Sequence, residues 1–355
     1  MNRAARRPRR ILVTGVGGAP GLDLARQLLE LGCDVIAADA DPLAPGLLLA
    51  GVTPRVVPVA GHPQAADELM LLCRELRPDA LMSTVEAELP MLGGLAGQLH
   101  ALGVRTWLPG PAAITAAIDK AVFHDILTQH AVPTPHTMLP GQTDGTLTDD
   151  GREWVVKPRR GQGAKNVHFC WTRAEVHALF GLVPDPIIQA KVEGREFTAD
   201  CLVDRVGRAS LVLRWRLLVK GGLAVVSSTF ADEQVSQVVT AALAAVGAAG
   251  PCCVQGFVCD EPTSNRVVLT EMNMRFAGAF LLSQAAGADL VQQALNGLFG
   301  EPVDHSRLRY RPGLYLTKSS DTLAVGDVST LPADRYAPRA HRSSGGEQHD
   351  DHPTA

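Results

Sequence analysis

Over the first hundred residues, short apolar runs alternate with helical stretches, and that rhythm leaves few folds open. Ile11–Val13, Val35–Ala38, Val56–Val59 and Ala80–Met82 have strand length, are partly β-branched and are bounded by Gly, Pro or Asp. Gly21–Leu31, Gln64–Leu76 and Leu89–Leu102 lie between or after them with helical periodicity. Such alternation builds a parallel sheet with helices on its faces. Leu108-Pro109-Gly110-Pro111 closes this α/β unit. A helix over Asp119–His130 follows, and Pro133, Pro135 and Pro140 break the chain again.

The remainder has another rhythm. Strands at Trp154–Lys157 and Val167–Cys170 flank a Gly-containing loop, followed by a helix near Arg173–Phe180 and a strand at Ile187–Ala190. Longer strands occupy Phe197–Val203, Ser210–Leu218 and Leu223–Thr229, and a helix at Asp232–Val246 leads to strands at Cys253–Cys259 and Val267–Asn273. Runs of strands with few helices indicate a mixed α+β unit. Trp107, Trp154, Trp171 and Trp215 read as core residues.

Composition narrows the function classes. With 46% hydrophobic and 20% charged residues, the chain can bury a sizeable core. A formal net charge of −4 gives no reason to expect nucleic acid or an anionic membrane as partner. Arg3, Arg6, Arg7, Arg9 and Arg10 read as a flexible basic N-terminus over 1–10, and residues 331–355 as a disordered tail whose histidines 341, 348 and 352 lack a rigid frame. Seven scattered cysteines without a CxxC pair, and no secretory leader, point to the cytoplasm. Val238–Val258 is uncharged but contains Pro251, and reads as a buried helix followed by a strand rather than a membrane span.

Two motifs carry chemistry. ILVTGVGGAPG sets Gly15, Gly18 and Gly21 between a strand and a helix, with Asp39 and Asp41 ending the next strand. That arrangement suits either a dinucleotide or close strand–helix packing. No hydride-transfer constellation accompanies it. In VVLTEMNMRFAGA, Glu271, Asn273 and Arg275 alternate, so their side chains share one face of a strand. A carboxylate and an amide oxygen make a hard-oxygen site of the kind Mg²⁺ uses while sharing phosphate oxygens. Upstream, WVVKPRRGQGAKNV puts Lys157 at a strand end before Gly161 and Gly163. A lysine beside mobile backbone amides suits a phosphate chain.

These motifs, with AIDKAVFHDIL before them and IIQAKVEGREFTADCLVD between, resemble the ATP-grasp superfamily over about residues 10 to 300. The likeness looks nearest to the branch that includes the carbamoyl-phosphate synthetase large subunit and small amino-acid ligases. It implies a Rossmann-like pre-ATP-grasp α/β domain at 11–108. A two-lobed α+β ATP-grasp domain would follow at 109–330, with a small lobe over about 135–190 and a large lobe over about 191–330. It further implies that Lys120 and Lys157 contact ATP phosphates beneath the 161–164 loop, which carries Gly161 and Gly163. Gln189, Ala190, Lys191 and Val192 would hold adenine, and Glu196 the ribose. Gln255, Glu271 and Asn273 would ligate Mg²⁺, with Mn²⁺ as a substitute, and Arg275 with Lys157 would be the catalytic cations. Ala190 replaces a frequent hinge acid, Met274 a usual proline, and Ala164-Lys165 further small residues of the loop.

The implied activity is ATP-dependent activation of a small carboxylate as an acyl phosphate, then coupling to an amine. Carboxyphosphate or carbamate phosphorylation is an alternative suggested by Gln255. An NAD(P)-dependent oxidoreductase or a non-catalytic nucleotide-binding protein would be the reading if the N-terminal glycines, or Ala190 and Met274, dominate. Arg214 and Arg216 alternate onto one strand face and could clamp a substrate carboxylate. Glu86 and Glu88 follow the fourth strand, where a parallel sheet presents ligands, or else serve a helix N-terminus. His124 reads as packing or surface. The partners are small molecules, and a homodimer is the expected assembly.

Overall fold

The computed structural model describes residues 7–319 and 322, except 144–146, 148, 162, 164 and 260–264. The tail expected at 331–355, with its three histidines, and Arg3 and Arg6 therefore lie outside the described residues.

Strands β1 (Arg10–Thr14), β2 (Asp34–Asp39), β3 (Val52–Val56) and β4 (Ala80–Ser83) form a parallel sheet in the order β3-β2-β1-β4. Alternation along β1 splits its residues between two cores. Leu12 faces Leu69, Leu72, Leu92 and Leu99, which come from helices α2 (Ala65–Leu76) and α3 (Leu89–Ala101). Ile11 and Val13 face helix α1 (Ala19–Glu30) and, from far along the chain, Phe280, Leu290 and Leu295. The third strand is displaced from the expected Val56–Val59. It sits at the sheet edge, where Pro54 needs no ladder partner for its missing N–H. The flexible stretch expected over 1–10 is corrected from Arg7 onward. Arg7 pairs with Asp79, Arg9 with Glu301, and the backbone N–H of Arg10 donates to Asp79 at 2.8 Å.

The Pro-Gly-Pro boundary conceals a helix, α4 (Pro111–Ile118), because Pro111 occupies the first turn, where no intrahelical N–H is needed. Asp119 then caps α5 (Lys120–Gln129), accepting from the N–H groups of Ala121 and Val122. A small sheet follows, made of β5 (Thr137–Met138), β6 (Trp154–Pro158), β7 (His168–Cys170) and β8 (Pro186–Ala190) in the order β5-β8-β6-β7, with α6 (Arg173–Ala178) beside it. β7 is an edge, and Trp171 just beyond it is 56% exposed, which corrects its reading as core.

The third sheet is antiparallel and six-stranded. It runs β13-β12-β9-β10-β11-β14, from β9 (Arg195–Val203), β10 (Ala209–Lys220), β11 (Leu223–Thr229), β12 (Gly250–Val258), β13 (Val267–Asn273) and β14 (Tyr315–Thr317). Helix α7 (Glu233–Val246) covers one face, its Val235, Val239 and Leu243 meeting Phe123, Phe197 and Leu269. Two short helices absent from the sequence reading, α8 (Phe280–Ala285) and α9 (Leu290–Leu298), carry the chain from β13 back onto the first sheet. A parallel sheet followed by antiparallel sheets is thus the architecture. The three sheets belong to one compact unit, Met1–Ser320.

Candidate active site

Strand register brings the metal-type oxygens together. Glu271 and Asn273 share a face of β13, and Gln255 on β12 lies directly opposite Glu271. A register shift falls between Gln255 and Gly256, where a Cβ would come 2.4 Å from the Val268 carbonyl oxygen. Only glycine fits that close approach. Lys120, the first residue of α5, donates from Nζ to the Gly161 carbonyl at 2.7 Å and lies 3.8 Å from Glu271 Oε1. Lys157, at the end of β6, donates to Gln189 Oε1 at 2.8 Å, and Gln189 is itself anchored on Thr137.

These groups line one cavity of about 770 Å³. Of the residues anticipated from sequence, Lys120, Lys157, Gly161, Gly163, Gln189, Ala190, Lys191, Val192, Glu196, Arg214, Arg216, Gln255, Glu271, Asn273 and Arg275 all face it. Residues 162 and 164 of the loop lie outside the described residues. Glu86 and Glu88 stand behind the wall instead. Glu88 accepts from Thr14 and from Ser83, the latter at 2.8 Å. Glu86 lies 3.7 Å from Arg275 Nη2, and its Oε1 has no hydrogen-bond partner among the described residues. Burial pushes the Glu86 carboxyl up to about 7, against the opposing pull of Arg275.

The cavity's cations differ in how far the protein already neutralises them. Arg214 is held on both nitrogens by buried Asp200, at 2.8 and 3.3 Å, and Arg216 lies 3.0 Å from Glu196. Lys191 pairs with Glu153 and Glu193. The two arginines expected to clamp a substrate carboxylate therefore each hold a protein carboxylate. Lys157 differs: its partner is a neutral amide oxygen, and among the described residues no carboxylate pairs with it. Burial lowers its pKa to about 8, with Glu271 opposing and Lys120 assisting that shift. Its positive charge is thus present below about pH 8 and is lost as pH rises through that value. Affinity for a polyphosphate should fall across the same window. Binding titrations from pH 7 to 9 should show the fall, and Lys157→Arg should flatten it; an equally steep profile in the variant would reject Lys157 as its source.

Sequence reading missed several wall residues: Phe169, Thr198, Phe257 and the Gly221-Gly222 turn. Phe169 left one trace, an aromatic beside Cys170 on an edge strand, 60% exposed yet facing the cavity. The glycine motif also reaches this cavity, through Gly15 and Gly18 together with Asp39. Gly15 has φ +77°, and a Cβ there would come 2.4 Å from Val85.

Asn273 Oδ1 accepts from Arg275 Nη2 at 2.8 Å, so these oxygens already face positive groups. Among the described residues no three His, Cys, Asp or Glu cluster as a self-sufficient metal cage. One carboxylate and two amides fit a hard cation that brings phosphate oxygens as its remaining ligands.

A parallel sheet leads into two antiparallel sheets, with lysines and amide and carboxylate oxygens converging on one cavity, and the segment that carries the six-stranded sheet matches an ATP-grasp family model. Residues 183–320 match the family model described as "ATP-grasp in the biosynthetic pathway with Ter operon", and residues 11–107 match "PylC-like, N-terminal domain". Among curated proteins, phosphoribosylamine–glycine ligase of Corynebacterium ammoniagenes is 25% identical over 211 residues, which are 55% of this chain and 46% of that one. The enzyme of the same name from Mycobacterium tuberculosis is 26% identical over 187 residues, 48% of this chain and 44% of that one. The chain thus spans less than half the length of these curated relatives. Among solved structures, L-amino acid ligase from Bacillus licheniformis superposes with TM-score 0.66 at 21% identity, covering 87% of this chain and 78% of that one. N5-carboxyaminoimidazole ribonucleotide synthetase from Thermotoga maritima gives 0.62 at 16%, covering 83% and 77%. The biotin carboxylase domain of Hydrogenobacter thermophilus 2-oxoglutarate carboxylase, a complex with MgADP and bicarbonate, gives 0.69 at 15%, covering 86% and 73%. At these identities the structural likeness speaks for the fold.

Proposed function

We propose that the chain is a Mg·ATP-dependent ligase that activates a small carboxylate as an acyl phosphate and couples it to an amine. One observation carries the reading. Two lysines and three hard-oxygen side chains, spread from Lys120 to Asn273 in the chain, meet in a single cavity with Arg275 also lining it. Phosphoryl transfer is catalysed by positioning and charge neutralisation more than by covalent chemistry, and this inventory suits that task.

In the proposed reaction a carboxylate oxygen attacks the γ-phosphorus and ADP departs. The amine nitrogen then attacks the acyl carbon, the C–O bond to phosphate breaks, and the amine's proton passes to solvent. Lys120 and Lys157 hold the phosphate chain, and Gln255, Glu271 and Asn273 would hold Mg²⁺, which supplies further neutralisation of phosphate charge. Arg275 offers donors to the oxyanion of the tetrahedral intermediate. The Gln189–Val192 hinge would hold adenine and Glu196 the ribose, although Glu196 must first share or release Arg216. The change from a parallel sheet to antiparallel ones supports a boundary near residue 108 between an α/β domain at 11–108 and an ATP-grasp domain at 109–330, whose last residues lie largely outside the described ones.

Thermal unfolding tests the assignment. Mg·ATP at about 100 times its dissociation constant should stabilise the fold by about 2.7 kcal/mol, a few degrees for a chain of this size. NADH should give no shift. Stabilisation by NADH alone would overturn the ligase reading and return the function to the N-terminal glycines. Release of ADP on adding a carboxylate and an amine would then establish turnover.

A further inference from the structure

The glycine motif and Asp39, which the ligase chemistry leaves unused, form part of the wall of the same cavity. Gly15, Gly18, Ala19 and Pro20 stand there with Asp39, Thr84 and Val85, at or just beyond the carboxyl ends of β1, β2 and β4. Open parallel sheets bind ligands at those ends.

Lys120, Lys157, Lys165, Lys191, Arg214, Arg216 and Arg275 line it from later parts of the chain, whereas Asp39 is the one ionisable side chain that the first sheet contributes to its described wall. Asp39 is held in place, with Oδ2 accepting from Gly17 N–H at 2.6 Å and Oδ1 from Asp41 N–H at 2.9 Å. A carboxylate has about four acceptor sites, so each oxygen keeps capacity for a ligand. Gly17 makes room for the arrangement, since a Cβ there would lie 3.0 Å from Asp39 Oδ2. A carboxylate that served only to brace the 15–18 turn would have no need to face the cavity.

We propose that this wall of the cavity is the subsite for the nucleophile, where Asp39 pairs with the ammonium group of a small amine; this rests on the ligase reading. An anionic co-substrate would be repelled by Asp39, whereas an amine arriving as a cation is drawn to it.

Binding to the Mg·ADP-saturated protein tests this. The probes are the proteinogenic amino acids, ethanolamine and putrescine, each beside its N-acetyl form, in which the acylated amine is uncharged. At least one free amine should bind while its acetylated form does not, and Asp39→Asn should weaken that binding about tenfold to a hundredfold, as loss of a charged hydrogen bond requires. The thermal response to Mg·ADP reports that the variant is folded. Should it be lost, Gly17→Ala, which crowds Oδ2, should weaken the amine in the same direction. Lack of binding by every amine in the set, equal binding of the acetylated forms, or unchanged affinity in both variants would overturn the subsite. Failure of Mg·ADP to stabilise the unmutated protein would sink the ligase reading instead, so the two failures are distinct.

Discussion

Glu271→Ala is expected to lower ADP release at saturating substrates by about a thousandfold, the scale set by removing one preorganised electrostatic contact from a transition state. Glu271 is the carboxylate among the three oxygen donors, and its Oε1 lies 3.8 Å from Lys120. It also opposes the burial that lowers the Lys157 pKa. Its removal therefore has two effects of opposite sign. The proposed metal site loses the one carboxylate among its described oxygen donors, while Lys120 and Lys157 lose a competing anion. At about pH 6, where Lys157 stays charged in both proteins, metal-free ATP should bind the variant at least as well as the parent even though turnover is lost. A simple unfolding defect would weaken both properties together. Turnover within tenfold of the parent protein would reject the metal role of Glu271.

How much of this was legible in the sequence depended on whether the controlling contacts were local. Period-two alternation in VVLTEMN fixes which side chains share a face, so Glu271, Asn273 and Arg275 were found without a structure. That Gln255 lies opposite Glu271 is a matter of register between strands, and register depends on the bulge at Gly256. The first sheet was readable for the same local reason, except at β3. There the strand lies earlier than Val56–Val59 and contains Pro54, which only the edge position explains. Proline misled at Pro111, because a residue that ends one element can begin the next. Helices α8 and α9 are short, and their burying surface is the first sheet, some 270 residues earlier in the chain. Helices of that length owe their stability to packing more than to propensity. The reach of the glycine turn into the cavity was hidden likewise, since it requires the first sheet to be docked against the segment after β13.

Arg214 is the plainest case of a residue whose chemistry a sequence cannot show. On β10 it looks like a free cation at alternate spacing with Arg216, yet Asp200 on β9 sits diagonally across from it and bonds it through two nitrogens. Both side chains are almost wholly buried, 1% and 4% exposed, and Ser283 donates a further bond to Asp200. Removing one partner of such a pair leaves an uncompensated charge in a poorly solvated site. Asp200→Ala should therefore destabilise the fold by about 3–5 kcal/mol. Adding Arg214→Met to that variant should restore much of the loss, because it removes the stranded charge as well. Saturating ATP should also recover part of the deficit in the single variant, since Arg214 lines the cavity and, freed of Asp200, presents an unneutralised guanidinium to it. Urea denaturation of the two variants with and without nucleotide separates these effects. A single variant within about 1 kcal/mol of the parent would mean that water reaches Arg214 readily, and that the cavity floor is polar rather than closed. A double variant no more stable than Asp200→Ala would mean that the loss lies in the Ser283 contact and the packing around it, not in the charge.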